Sequence, residues 1–167
     1  MGRDRAQLLS IRVDLRKQQL DLLQRGELLK SFPVSTSKYG AGEVRNSYKT
    51  PRGGHVIRAM IGAGQPLGAV FRGRRPTGEI YSAELARAHS DRDWILTRIL
   101  WLSGTQVGKN RLGNVDTMRR YIYIHGAPDS GQPGVPGSIG CIRMVNRDVV
   151  ELFDRVTPGT VVHIVEE

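Results

Sequence analysis

Gly137-Ser138-Ile139-Gly140-Cys141-Ile142-Arg143-Met144 holds the only cysteine of the 167-residue chain, set between small residues and a following arginine. A nucleophilic sulfur needs an open approach, and Gly140 leaves that approach clear while letting the backbone bend in ways other residues resist. Sixteen positions upstream, Tyr121-Ile122-Tyr123-Ile124-His125-Gly126 reads as a strand, with His125 where a loop begins. A thiol with a reference pKa of about 8.5 is mostly protonated at neutral pH, so Cys141 needs a base, and His125 is the candidate. Both residues stand where a strand meets the Gly/Pro-rich loop 126–137. Two antiparallel strands joined by that loop would bring their ends together. A lone cysteine is also commonly an inert, packed one, so on these residues alone catalysis and simple burial both stand.

Working outward, Cys141–Val145 is a short strand, Asp148–Phe153 allows one or two helical turns, and Thr160–Val165 forms a closing strand. At the other end, Ile11, Val13 and Leu15 alternate with Arg12, Asp14 and Arg16. Leu20 and Leu22 keep the period of two, and a turn at Arg25-Gly26-Glu27 leads to a strand over 28–34, giving a meander. Residues 35–54 read as a long loop ending in Thr50-Pro51-Arg52-Gly53-Gly54, and His55–Ile61 as the next strand. Gly62–Gly78, with five glycines and two prolines, reads as an irregular excursion. Ser90 as cap, Asp91 and Asp93 in a first turn, and Trp94, Ile95, Ile99 and Leu102 predict a helix near 90–103, stopped by Ser103-Gly104. Trp94 and Trp101 are read as packing residues. The sum is one domain over residues 1–167, mainly β, a meander of short strands with one or two short helices.

The chain is long enough to bury its own core without disulfides. A net charge of +9 and a pI near 10.3 fit an anionic partner or a solubilising surface. Aromatic residues make up only 6% and are not interleaved with basic ones, which disfavours a base-stacking nucleic-acid surface. No apolar run reaches the ~20 residues of a membrane span. Residues 1–9 lack the apolar stretch of a secretory signal, which predicts either a removed leader or a cytoplasmic protein. No spacing of His, Cys, Asp and Glu suggests zinc, and no cofactor is expected. His55 is read as a packed histidine with a groove-lining alternative, and His89 and His163 as surface or strand-edge residues.

Ile124-His125-Gly126, a loop, and then Ser138-x-Gly140-Cys141-Ile142-Arg143-Met144 closely resemble the signature of the L,D-transpeptidase (YkuD-type) catalytic domain. Pro33-Val34-Ser35-Thr36, Thr50-Pro51-Arg52-Gly53 and Thr157-Pro158-Gly159-Thr160-Val161-Val162 resemble its strand order, its Thr-Pro-x-Gly turn and its closing strand. Residues 62–118 match weakly. The resemblance implies a mainly β fold, a mixed β-sandwich or barrel-like domain, and a periplasmic or cell-wall enzyme acting on peptidoglycan stem peptides, with diaminopimelate the typical donor residue. Cys141 would be the nucleophile, forming a thioester with release of D-Ala, and His125 the general base and acid. The Gly126 carbonyl would orient the imidazole, and backbone N–H groups around Gly140 and Cys141 would bind the oxyanion. Arg143, Ser138, Tyr123 and Ile139 would line the substrate, Arg143 alternatively bracing its loop through a salt bridge.

One position departs from the family pattern. Ile139 stands where the family places a histidine, and it can neither donate a hydrogen bond nor hold a proton. Three functions follow: the transpeptidase; a hydrolase on the same scaffold, such as an L,D-carboxypeptidase or an enzyme releasing wall-linked protein; and a catalytically impaired wall-binding module.

Overall fold

The computed structural model describes residues 9–131 and 133–167; the reading of the N-terminus as lacking a signal falls on residues outside this range, apart from Leu9. Ten strands make up the described sheet: β1 (Leu9–Asp14), β2 (Gln19–Gln24), β3 (Glu27–Ser35), β4 (Gly53–Ile61), β5 (Ala69–Arg72), β6 (Arg75–Ile80), β7 (Ile95–Gly104), β8 (Tyr123–Gly126), β9 (Ile142–Met144) and β10 (Val161–Val165). The order β4-β10-β1-β2-β3-β9-β8-β7 closes on itself through a β4–β7 pairing, so eight strands form a barrel, and β5-β6 extends from β7 as an outer hairpin. Closure removes the exposed edges an open sheet would present. Two α-helices, α1 (Ala83–Ala88) and α2 (Asn146–Arg155), and one 3-10 turn (Gly113–Val115) complete the described elements.

The period of two in the front half does the expected packing. Ile11, Val13, Leu20 and Leu22 join Phe32, Val34, Leu100, Leu102, Ile124, Ile142 and Ile164 in one continuous core. Val149 and Leu152 of α2 belong to the same core. The core therefore fills the barrel with inward-facing side chains. A second cluster lies on the outer wall, where Ala69, Phe71, Ile99 and Tyr123 pack with partly buried Trp101 and Cys141.

Three expectations are corrected. The helix predicted near 90–103 is β7 over Ile95–Gly104, and the α-helix nearby is the earlier α1, capped by the Ser82 hydroxyl on Leu85 N–H at 3.0 Å. The register of β7 slips between Leu96 and Ile99, where Thr97 and Arg98 form a bulge. That insertion shifts the phase of the apolar residues. Beyond it Leu100 and Leu102 face the main core while Ile99 faces the outer cluster. A bulge plus burial on both faces thus imitates helical spacing. Second, the excursion at 62–78 contains the β5 strand and most of β6, with Gly73 and Arg74 at positive φ (54° and 64°) in the turn between them. Third, β8 and β9 pair in parallel, Ile124 opposite Ile142 and His125 opposite Arg143, and not as a hairpin. A parallel return must re-enter from the starting end of the first strand, which is why residues 127–141 form so long a crossover.

Candidate active site

Parallel pairing decides which side chains meet. Ile124 and Ile142 point into the barrel core, so Tyr123 and His125 on β8, and Cys141 and Arg143 beside them, lie on the outer wall. The Cys141 sulfur receives the Tyr123 N–H at 3.4 Å and donates to the Tyr121 carbonyl at 3.4 Å. Two backbone groups thus hold the thiol in place. Burial against the outer cluster pushes the thiol pKa up to about 12, partly offset by the Tyr123 N–H. The residue as a whole is only half-buried.

His125 is fully buried. Its Nδ1 lies 2.5 Å from the Gly126 carbonyl, an oxygen that only accepts, so Nδ1 carries the proton. Nε2 then presents a bare lone pair, and it has no hydrogen-bond partner among the described residues. Burial lowers the imidazole pKa, against the raising effect of the Gly126 bond. With the thiol pKa moved up and the imidazole pKa moved down, burial favours the neutral form of both groups.

The loop leading into Cys141 is braced from within. The Ser138 hydroxyl donates to the Cys141 carbonyl at 2.6 Å and accepts the Gly140 N–H at 3.2 Å. Ser138 is buried, its hydroxyl engaged by its own loop, and the Gly140 N–H read as an oxyanion donor points to that hydroxyl. Gly140 sits at φ 131°, and a Cβ there would come within 3.2 Å of Ile122. Arg143 donates to the Gly137 carbonyl at 3.2 Å and to Asp93 at 3.0 Å, bracing the loop and forming an ion pair at once. Tyr123 is buried, its hydroxyl accepting from Arg74 at 3.1 Å, whereas Ile139 is exposed. His55 is buried, with Nδ1 on Gly53 O and Nε2 on the Thr117 hydroxyl.

Sequence reading missed several contributors. Thr50, fully buried, donates to the Gly140 carbonyl at 2.9 Å and accepts the Ser37 N–H at 3.0 Å. Asp93 is tied to the site by its ion pair with Arg143, and its negative field reaches both His125 and Cys141. Arg120, half-buried on the Lys49 carbonyl at 2.6 Å, adds positive field at the sulfur. Only the Thr-Pro-x-Gly match offered a signal for Thr50; nothing local marked the other two.

The family model described as the L,D-transpeptidase catalytic domain (YkuD) matches residues 9–164. The chain belongs to this family. Solved structures agree on the fold of this YkuD domain. An L,D-transpeptidase from Mycobacterium smegmatis is 21% identical with a TM-score of 0.56, the match covering 94% of this chain and 58% of that one. L,D-transpeptidase 3 from Mycobacterium tuberculosis, in complex with a faropenem-derived adduct, is 15% identical with a TM-score of 0.58, covering 95% and 60%. An Enterococcus faecium L,D-transpeptidase is 17% identical with a TM-score of 0.56, covering 93% and 49%. The YkuD domain thus spans about half to three-fifths of these chains. Comparison with curated proteins yields no match.

Beside the Cys141 face of the YkuD domain lies a cavity of about 580 Å³, between the crossover loop and the start of α2, lined by Pro128, Asp129, Val135, Arg143, Val145 and Arg147 among others. Its size suits a ligand. Arg143 is the side chain it shares with the wall that carries the thiol. No helix among the described residues is long and apolar enough to cross a membrane.

Proposed function

We propose that this domain is a cysteine-dependent L,D-transpeptidase acting on peptidoglycan stem peptides. One observation carries the reading: a buried imidazole whose Nδ1–H is committed to the Gly126 carbonyl and whose Nε2 has no partner among the described residues, on the strand that hydrogen-bonds to the sole thiol. An unsatisfied buried nitrogen costs stability and is retained where chemistry uses it.

In the proposed reaction, Nε2 takes the Cys141 S–H proton as the sulfur attacks the carbonyl of the bond between the stem's L-centre and D-Ala. The tetrahedral intermediate collapses, and the imidazolium returns the proton to the departing D-Ala amine, leaving a thioester. An acceptor amine then gives a proton to Nε2, attacks the thioester and releases the thiol. Because the imidazole enters neutral, it is competent as base from the start. The Gly140 N–H serves an oxyanion only by exchanging its 3.2 Å bond to Ser138. Ile139 leaves that rim without a polar ring.

The test is incubation with disaccharide-tetrapeptide, following products and intact mass, with Cys141→Ala alongside. D-Ala loss with dimer formation, abolished in C141A, supports the proposal. D-Ala loss without dimers assigns water as acceptor and makes the domain a hydrolase. Binding without product or adduct, preserved in C141A, makes it a wall-binding module. The adduct described for the Mycobacterium tuberculosis enzyme makes faropenem a convenient acyl-donor probe.

A further inference from the structure

The bulge in β7 falls opposite one particular peptide. Leu96 pairs with Gly126 and Ile99 with His125, so Thr97 and Arg98 are inserted across from the step between them. Thr97 adopts φ 75°, a conformation that β-branched residues avoid, and it is fully buried. Such strain persists only where surroundings enforce it, and bulges recur beside active sites, where they re-aim side chains.

The Thr97 hydroxyl shows what the strain achieves. It accepts the Gly68 N–H at 3.0 Å and donates to Asn146 Oδ1 at 2.6 Å. Asn146, the first residue of α2, turns its Nδ2 to the Ala127 carbonyl at 3.0 Å. Ala127 N–H in turn donates to Met144 O at 3.2 Å. Ala127 is therefore held at both its backbone groups: its N–H, which shares a peptide plane with the Gly126 carbonyl, by Met144, and its own carbonyl, in the next peptide, by Asn146. The Gly126 oxygen beside this anchored residue is the one that holds His125 Nδ1–H. The grip is close: a Cβ on Gly126 would fall 2.6 Å from the Leu96 carbonyl and 3.1 Å from Thr97 Cβ, with Asn146 Oδ1 closer still.

We propose that Thr97 and Asn146 are positioning residues for His125, fixing the Gly126 carbonyl so that the imidazole keeps its proton on Nδ1 and its lone pair on Nε2. The inference deepens the reading of His125 as the base and rests on it for its catalytic consequence, but the tautomer itself is a property of the resting protein. A carbonyl free to rotate releases Nδ1–H, and the ring then samples the Nε2–H form, which cannot accept the thiol proton.

The experiment records imidazole nitrogen shifts of His125 in ¹⁵N-histidine-labelled protein, together with the pH profile of faropenem acylation followed by intact mass. Thr97→Val and Asn146→Ala are expected to show a mixed tautomer population and acylation slowed by about tenfold or more, with KM changed less than kcat on stem peptide. Thr97→Ser, which keeps the hydroxyl, is expected to restore both. Asp93 and Arg143, the charged groups whose fields reach His125, remain in every variant, and so does the Cys141 thiol. A single Nδ1–H tautomer with an unchanged profile in T97V overturns the proposal, even if its Tm falls. Should T97V fail to fold, N146A decides by the same two readouts. Wild-type protein that shows the Nδ1–H tautomer, loses it in the variants, yet takes no acyl group would sink the transpeptidase reading and leave the positioning role intact.

Discussion

His125 and Cys141 hold opposite perturbations with one cause, removal from water, which disfavours imidazolium and thiolate alike. The pair therefore has a specific signature in pH. Cys141-dependent acylation by faropenem should stay near its plateau below the ordinary imidazole range, because the base is already neutral there. It should show no alkaline rise centred near the ~8.5 of a free cysteine, since this thiol ionises only at about 12. Pseudo-first-order rates from pH 5 to 10 check this, and a titration near 8.5 would count against the neutral-pair reading. Ile139 is the other residue-scale question. It is exposed beside the reactive loop, so a polar ring fits there without displacing core atoms. Ile139→His should raise turnover in the stem-peptide assay, and an unchanged or lower rate would refute that expectation.

Among the elements, the loop 35–54 and the crossover 127–141 act as one unit, although their contacts join residues about a hundred positions apart. Ser37 bridges to Ser138, Gly137 and Ser138 both donate to the Thr36 carbonyl at 2.9 Å, and Thr50 links the Ser37 N–H to the Gly140 carbonyl. Thr50→Val keeps the shape and leaves a buried donor and a buried acceptor unpaired. It should cost about 1–3 kcal/mol in urea unfolding and slow acylation of Cys141. Full stability with wild-type acylation would show that the brace is dispensable. The β5-β6 hairpin is a second such element. Arg74 at its turn donates to Tyr123 and lies 4.8 Å from the Trp101 ring centroid and 5.0 Å from that of Tyr121, covering the outer wall next to the thiol.

At the scale of the molecule, His55 ties the barrel to the long connection that follows β7. Buried beside Thr117, it is pushed down to about 4, chiefly by burial. Its folded pKa lies below its unfolded value of about 6.5, so the unfolded chain binds the extra proton as pH falls. Stability is then full above 6.5 and lost progressively toward 4, by about 3 kcal/mol from this residue. Urea midpoints between pH 7 and 4 should fall accordingly, and His55→Gln should flatten the dependence; an equal slope in that variant would assign the loss elsewhere. The sequence alone singled out Cys141 and His125 as the candidate pair and determined the alternating strands of the front half and the β class, since side-chain chemistry and a period of two are local properties. Only the tertiary structure decided the rest. Whether β8 and β9 run parallel depends on how residues 127–141 return, which local spacing does not encode. The phase of apolar residues in β7 was legible only once the Thr97–Arg98 bulge had a partner strand to be measured against. Thr50, Asp93, Thr97 and Asn146 became visible for the same reason: each acts through a hydrogen bond to a distant part of the chain, and hydrogen-bond partners are chosen by closure of the barrel.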